Sequence, residues 1–151
     1  MISISNIMTA INKILVLNYP TYPVYIQRCP EDFERPSFFI QNVKSTVNDA
    51  NCKMVEKTVY MLITGLGEKD SYYISDINKL NDLQDNIINI FNSCSLKIGD
   101  RNIKLKSSSS GFDNDSIFVD LQLSFFDNRT DKVDDTPLIV SVEMNTSLLK
   151  K

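Results

Sequence analysis

A chain of 151 residues with 42% apolar and 23% charged side chains has enough of both for one core and a wet surface, which excludes wholesale disorder and a membrane-embedded class. A formal net charge of −3, with no basic grouping denser than Arg101, Lys104 and Lys106, excludes an electrostatic footprint for nucleic acid. Histidine and tryptophan are absent, so catalysis by an imidazole base or nucleophile is excluded outright.

Ile4, Ile7, Met8, Ile11, Ile14 and Leu15 recur at steps of three and four behind Ser3 and Ser5, either of which can cap a first turn. Residues 4–18 therefore read as an amphipathic helix. The same stretch lacks a basic n-region, an unbroken apolar run and a small-residue cleavage site, so it does not read as a signal peptide. Pro20 and Pro23 end the helix and hold residues 19–25 extended, since each proline fixes its own φ and biases its predecessor away from helix. A short strand, 24–29, grows from this segment. Residues 30–36, with Glu31, Asp32, Glu34 and Arg35, form a polar connector, and Phe38, Phe39, Ile40 and Val43 mark a strand over 37–47.

Residues 48–51 (Asn-Asp-Ala-Asn) are a turn. The strand over 52–64 puts Val55, Val59, Met61 and Ile63 on one face and Glu56, Thr58 and Tyr60 on the other, so the two strands make an antiparallel hairpin. Residues 65–70 break the strand. Ser75 or Asp76 then caps a long central helix whose stripe is Ile77, Leu80, Leu83, Ile87, Ile90 and Phe91, and which lies across the sheet. After Cys94, 96–98 and 103–106 pair as short strands around Gly99 and Asp100, and the serines and glycine of 107–111 read as a flexible link.

Ile117, Val119, Leu121, Leu123 and Phe125 alternate with Ser116, Asp120, Gln122 and Ser124, the pattern of a half-buried antiparallel strand. Phe118 and Phe126 interrupt its polar face. With Tyr22, Tyr25 and Tyr60 they are candidates for a subunit contact, against the plainer reading of cover by their own chain. Residues 127–137 read as a long polar loop, and 138–144 as a last strand. No repeat or linker divides the chain, so residues 1–151 are expected to form a single domain.

Three groups of residues invite chemistry, and each has a plainer reading. Gly65 and Gly67 stand between a strand and a helix, where glycines let backbone N–H groups approach an anion. A third glycine and a Gly-Lys-Ser/Thr are missing, and Glu68 and Asp70 would repel phosphate, so a strand-to-helix turn is favoured. Asp127, Asp131, Asp134 and Asp135 lack the alternating ligands and glycine of a calcium loop, and Asp113 and Asp115 read as turn residues. Cys29, Cys52 and Cys94 fall in neither a CxxC pair nor a zinc spacing, lack a histidine to activate a thiolate, and read as small buried or half-buried hydrophobes. No cofactor is expected.

The helix from Ile4 with its extension at 19–25, the hairpin through Phe38-Phe39-Ile40 and Val59-Tyr60-Met61-Leu62-Ile63, the helix from Ile77 to Phe91 and the strand from Ile117 to Phe125 give the chain its shape. In this pattern and length it resembles the tail terminator proteins of tailed bacteriophages, including those of contractile phages and phage-tail-like bacteriocins. The resemblance implies an α+β fold, with an N-terminal helix and one long central helix on a mainly antiparallel sheet. It also implies a homohexameric ring, assembled in the host cytoplasm, that caps the finished tail tube, ends its polymerisation and offers a surface to the head connector or collar. Its partners would be copies of itself, the tail tube protein, and sheath and head-connector proteins, with no specific nucleic acid and no membrane. It carries over no catalytic residue.

On that reading the contact surfaces fall in three segments. They are the connector with Arg28, Glu31, Asp32, Phe33 and Arg35, the link with Phe112 and Asp113, and the polar loop with Asp127, Arg129, Asp131 and Asp134. Two alternatives are a neck or tail-completion protein of the same particle and a small ligand-binding module built on the 65–70 turn.

Overall fold

The computed structural model describes residues 1–70, 72 and 74–130. In chain order the elements are α1 (Ile4–Asn18), β1 (Val24–Ile26), β2 (Ser37–Asp49), β3 (Met54–Leu66), α2 (Ile77–Ile90), β4 (Ser95–Ile98), β5 (Arg101–Asp113) and β6 (Ser116–Asn128). The Ser3 hydroxyl accepts the Asn6 N–H 3.1 Å away and so caps α1. Ile7, Met8, Ile11 and Leu15 are its buried stripe. The Asp76 carboxylate caps α2 through the Asn78 N–H at 2.9 Å. At 14 residues α2 is one shorter than α1, so the long central helix of the sequence reading is in fact a helix of ordinary length.

The six strands form one sheet in the order β1-β2-β3-β6-β5-β4. Only β1 and β2 are parallel. Register sets the core. Phe38, Gly65, Ile117 and Phe112 lie in one row across β2, β3, β6 and β5, and Ile40, Ile63, Val119 and Ser109 in the next. Met61 and Val59 of β3 continue the same face beside Leu121 and Leu123 of β6. Both helices lie on it. α1 touches β1 and β2 at one edge and β4 at the other, while α2 crosses β3, β6 and β5, so the sheet curls around the pair. Ile7, Ile11, Leu15, Ile87 and Phe91 meet Ile40, Met61, Ile63, Ile117, Val119 and Leu121 in one cluster. Burial of each large apolar side chain there contributes about 1.5–3 kcal/mol.

Two glycines make room for close packing, Gly65 beside Ile117 of β6 and Gly67 beside Leu80 of α2. A Cβ on Gly65 would stand 2.8 Å from Ile117 Cγ1 and 3.4 Å from Leu83 Cδ2, and one on Gly67 would stand 2.7 Å from Leu80 Cδ2. Both are therefore accounted for by close packing, the first against the sheet's own β6 side chain and the second against α2.

The structure corrects several boundaries. β1 stops at Ile26 because Gln27 takes a positive φ of 62°, and the hairpin turn is 50–53 because β2 pairs through Asp49 and β3 from Val55. Residues 107–111 are strand rather than link: Ser107, Ser108 and Ser109 pair with Leu121, Asp120 and Val119, so the β6 ladder supplies the order that serine propensity does not. Asp127 belongs to β6, not to a loop. Cys52 and Cys94 are exposed, in the turns after β2 and α2, while Cys29 is half-buried. The expected strand at 138–144 lies outside the described residues.

Candidate assembly surfaces

Register places the expected contact residues at two opposite ends of the sheet. At one end Ser37, Leu66, Ser116 and Asp113 align across β2, β3, β6 and β5. Phe33 and Arg35, just before β2, share this end with Phe112 and Asp113. The Arg35 guanidinium sits over the Phe33 ring, 5.0 Å from its centre, and the Glu34 N–H donates to the Tyr25 hydroxyl at 3.1 Å, which folds the connector back on β1. Lys69 and Asp115 pair at 3.0 Å, and the Gly67 N–H donates to the Asp115 carbonyl at 3.2 Å. The hydrogen bond from Lys69, against a smaller desolvation, and the positive charges of Lys69 and Arg35 hold the Asp115 carboxyl below its ordinary value.

At the other end Asp127 is nearly covered, 3% exposed. Its Oδ2 lies 3.0 Å from Lys57 Nζ and its Oδ1 lies 3.7 Å from Arg101 Nη1. Desolvation alone would raise its pKa. The Lys57 hydrogen bond and charge, the Asn128 N–H and the N-terminal ammonium outweigh it and bring the carboxyl below its ordinary value. Arg129 pairs with Asp49 and donates its N–H to the Lys53 carbonyl at 2.8 Å, tying the β6 end to the β2–β3 hairpin. Asp127 and Arg129 thus serve the fold first.

The three segments do not converge. Strands of 13 residues separate the two ends by roughly 40 Å at the usual rise per residue. Arg28, Glu31 and Asp32 are exposed on the connector beside the β1 edge. Asp131 and Asp134 lie outside the described residues. Of the aromatic candidates, Tyr22, Tyr25, Tyr60 and Phe118 are half-buried and Phe126 is 52% exposed.

A cleft of about 840 Å³ opens beside α2, lined by Tyr19, Tyr22 and the 67–70 turn, with Ser75, Asp76, Lys79 and Asp82. Tyr19 and Tyr22 on its wall pack tilted and edge-on against each other and against buried Phe38 behind them, ring centres 5.2–5.4 Å apart. Burial first, and then the cost of ionising Tyr19 beside Tyr22 and Tyr22 beside the Glu68 carboxylate, raises both tyrosine pKa values. Part of its polar lining is in use: Asp70 accepts the N–H groups of Tyr72 at 2.8 Å and Ile74 at 3.0 Å, and Lys69 is held by Asp115, while the buried Ser75 hydroxyl has no partner among the described residues. With Glu68, Asp70, Asp76 and Asp82 against Lys69 and Lys79, the wall repels phosphate. Among the described residues no three His, Cys, Asp or Glu side chains gather as a metal site, and no helix is long and apolar enough to cross a membrane.

Exposed strand edges that pair with neighbours are expected of a ring subunit, but which edges are open was not legible in the sequence. Among the described residues β1 pairs only with Phe38, Phe39 and Ile40, and β4 only with Arg101 to Lys104. Among the described residues, the outer edge of β2 beyond Gln41 and that of β5 beyond Leu105 carry no strand. Val43 and Val47 on the first are 62% and 60% exposed, and Phe112 on the second is 44% exposed. The sequence signal was the exposed valines and the serine run, neither of which fits a covered strand.

Open strand edges with exposed apolar side chains are the kind of surface that pairs with other chains. A family model described as phage tail terminator protein matches residues 6–135, which takes in all six strands, α2 and nearly all of α1. A search of curated proteins returned no match. A tail terminator is a structural component of a phage tail and associates with other tail components; with that family's model matching most of its length, the chain belongs to the phage tail terminator family.

Proposed function

We propose that the chain is one single-domain subunit of a closed homohexameric ring that seats on the end of a finished tail tube, stops further addition of tube subunits and presents its far side to the head connector or collar. The family match over residues 6–135 is the observation that carries this reading. The two separated ends of the sheet support it, since a cap needs one surface for the tube and another for the connector. The particle would be a contractile phage tail or a related bacteriocin, with a sheath as a further neighbour. Assembly would take place in the host cytoplasm before the ring becomes part of the particle. In this role the protein needs neither catalysis nor a cofactor.

Light scattering of the purified protein, alone and mixed with its tail tube protein, tests the proposal. A species of six subunits, free or on tube ends, supports it. A monomer that ignores tubes overturns it.

A further inference from the structure

We infer that neighbouring subunits join by strand addition, the outer edge of β2 in one copy pairing antiparallel with the outer edge of β5 in the next. This rests on the ring reading above and names its joint.

The backbone directions fix which groups have no strand partner among the described residues. The Ile40 carbonyl accepts the Gln27 N–H on the β1 side, so Ile40 points outward from the β2–β3 pair. Alternation, with the extra residue Val43 between Asn42 and Lys44, carries that direction to Ser45, Val47 and Asp49, which face Val59, Lys57 and Val55 of β3. On the other edge the Leu105 N–H donates outward to the Cys94 carbonyl. Alternation, with the extra Ser110 between Ser109 and Gly111, carries it to Ser107, Ser109 and Phe112, which face Leu121, Val119 and Ile117 of β6. Each edge therefore offers the N–H and C=O groups of three residues.

The edges match in four ways. β2 and β5 run in opposite directions within the sheet, so a neighbour's β2 laid antiparallel on β5 keeps both subunits in the same orientation. The outward residues on both edges carry their side chains on the helix-bearing face, beside Val59, Lys57 and Val55 on one and Leu121, Val119 and Ile117 on the other, so the continued sheet keeps every helix on one side. Pairing Val47 with Ser109 sets Asp49 against Ser107 and Ser45 against Phe112, each pair exchanging two backbone bonds. It also sets exposed Lys44 opposite exposed Asp113 on the other face. Finally, the open part of β2 lies toward one end of the sheet and that of β5 toward the other, so neighbours stagger along the strands, as tilted strands do when a sheet closes. Such a joint is heterologous, and a constant rotation closes it into a ring.

Val47→Pro and Ser109→Pro each remove one outward N–H without touching a ladder bond within the sheet, the position at which an edge strand tolerates proline. Masses are measured in whichever sample, free or with tube protein, the wild type is ring-sized. The expected result is that each variant keeps the wild-type circular dichroism and melting temperature yet stays monomeric, whereas the one-to-one mixture gives a dimer and nothing larger. In that mixture the first variant supplies the intact β5 edge and the second the intact β2 edge. Should a proline variant unfold, Lys44→Asp and Asp113→Lys replace it, each weakening association at least severalfold and the double exchange restoring it. A folded proline variant that keeps the wild-type mass overturns the inference and leaves the ring reading intact. Dimers formed by Ser109→Pro alone also overturn it, because they place β2 against β2. A wild type that is monomeric in both samples overturns the ring reading, and this joint with it.

Discussion

Lys57 Nζ and Asp127 Oδ2 meet at 3.0 Å across the β3–β6 pair, where the apolar rows of the helix-bearing face give way to charge. Val55 and Phe125, both buried, flank the pair, and Arg101 adds a second cation at 3.7 Å from the other carboxylate oxygen. The carboxylate is covered but shallow, at the end of the sheet, and Lys57 keeps 21% of its side chain in solvent.

Asp127→Asn therefore leaves a half-solvated lysine rather than a fully buried one, and is expected to cost about 1–3 kcal/mol in urea unfolding, the low side for a covered ion pair. The pH dependence has a definite sign. The folded-state pKa lies below the unfolded value of 3.8, so the pair's contribution is fully present above that value and is lost as pH falls through the lower folded value. Melting temperatures of wild type and variant should differ near neutrality and converge as the pH falls below the unfolded value of 3.8 and on through the lower folded one.

Gly65→Ala should be more destabilising than Gly67→Ala. The new methyl at 65 meets Cγ1 of Ile117, a β-branched side chain held in a strand, whereas at 67 it meets the end of the Leu80 side chain. Overpacking of this kind costs about 1–3 kcal/mol, and denaturant titration of the two variants ranks them. Equal, negligible costs would show that neither glycine is packed this closely.

Ile11 is fully buried in α1, and Leu17 on the same helix is 81% exposed. Ile11→Ala is expected to lose about 2–5 kcal/mol and Leu17→Ala no more than about 0.5 kcal/mol, read from unfolding midpoints. Because α1 spans from the β1–β2 edge to β4, the first variant should also loosen β4, seen as faster amide exchange at Leu96 and Ile98.

The exposed thiols of Cys52 and Cys94 should react with an aromatic disulfide reagent in the native protein, and half-buried Cys29 more slowly. Two fast equivalents and then one slow one is the expected trace, and denaturant should merge the phases.

Where the chain writes its own periodicity, the fold was legible in it. The stripe from Ile7 to Leu15 specified α1, and the alternation from Ile117 to Phe125 specified β6, because each pattern reports burial on one side of an element. Ser107 to Ser109 were not legible as strand, since what orders them is the hydrogen-bonding edge of β6, a partner no local pattern reveals. Asp127 looked like the start of a loop because Asp-Asn-Arg-Thr-Asp is loop-like in composition, yet Lys57, 70 residues away in sequence, holds it in the sheet. The open edges of β2 and β5 were invisible for a different reason: an edge is defined by where its neighbours β1 and β4 stop.

Whether this protein ends the growth of a tail tube is decided by polymerising the tail tube protein with substoichiometric amounts of it and measuring tube lengths by electron microscopy. Tubes are expected to shorten as the protein is added, each bearing a cap of the ring's dimensions at one end. Tubes of unchanged length with bare ends would contradict the capping role.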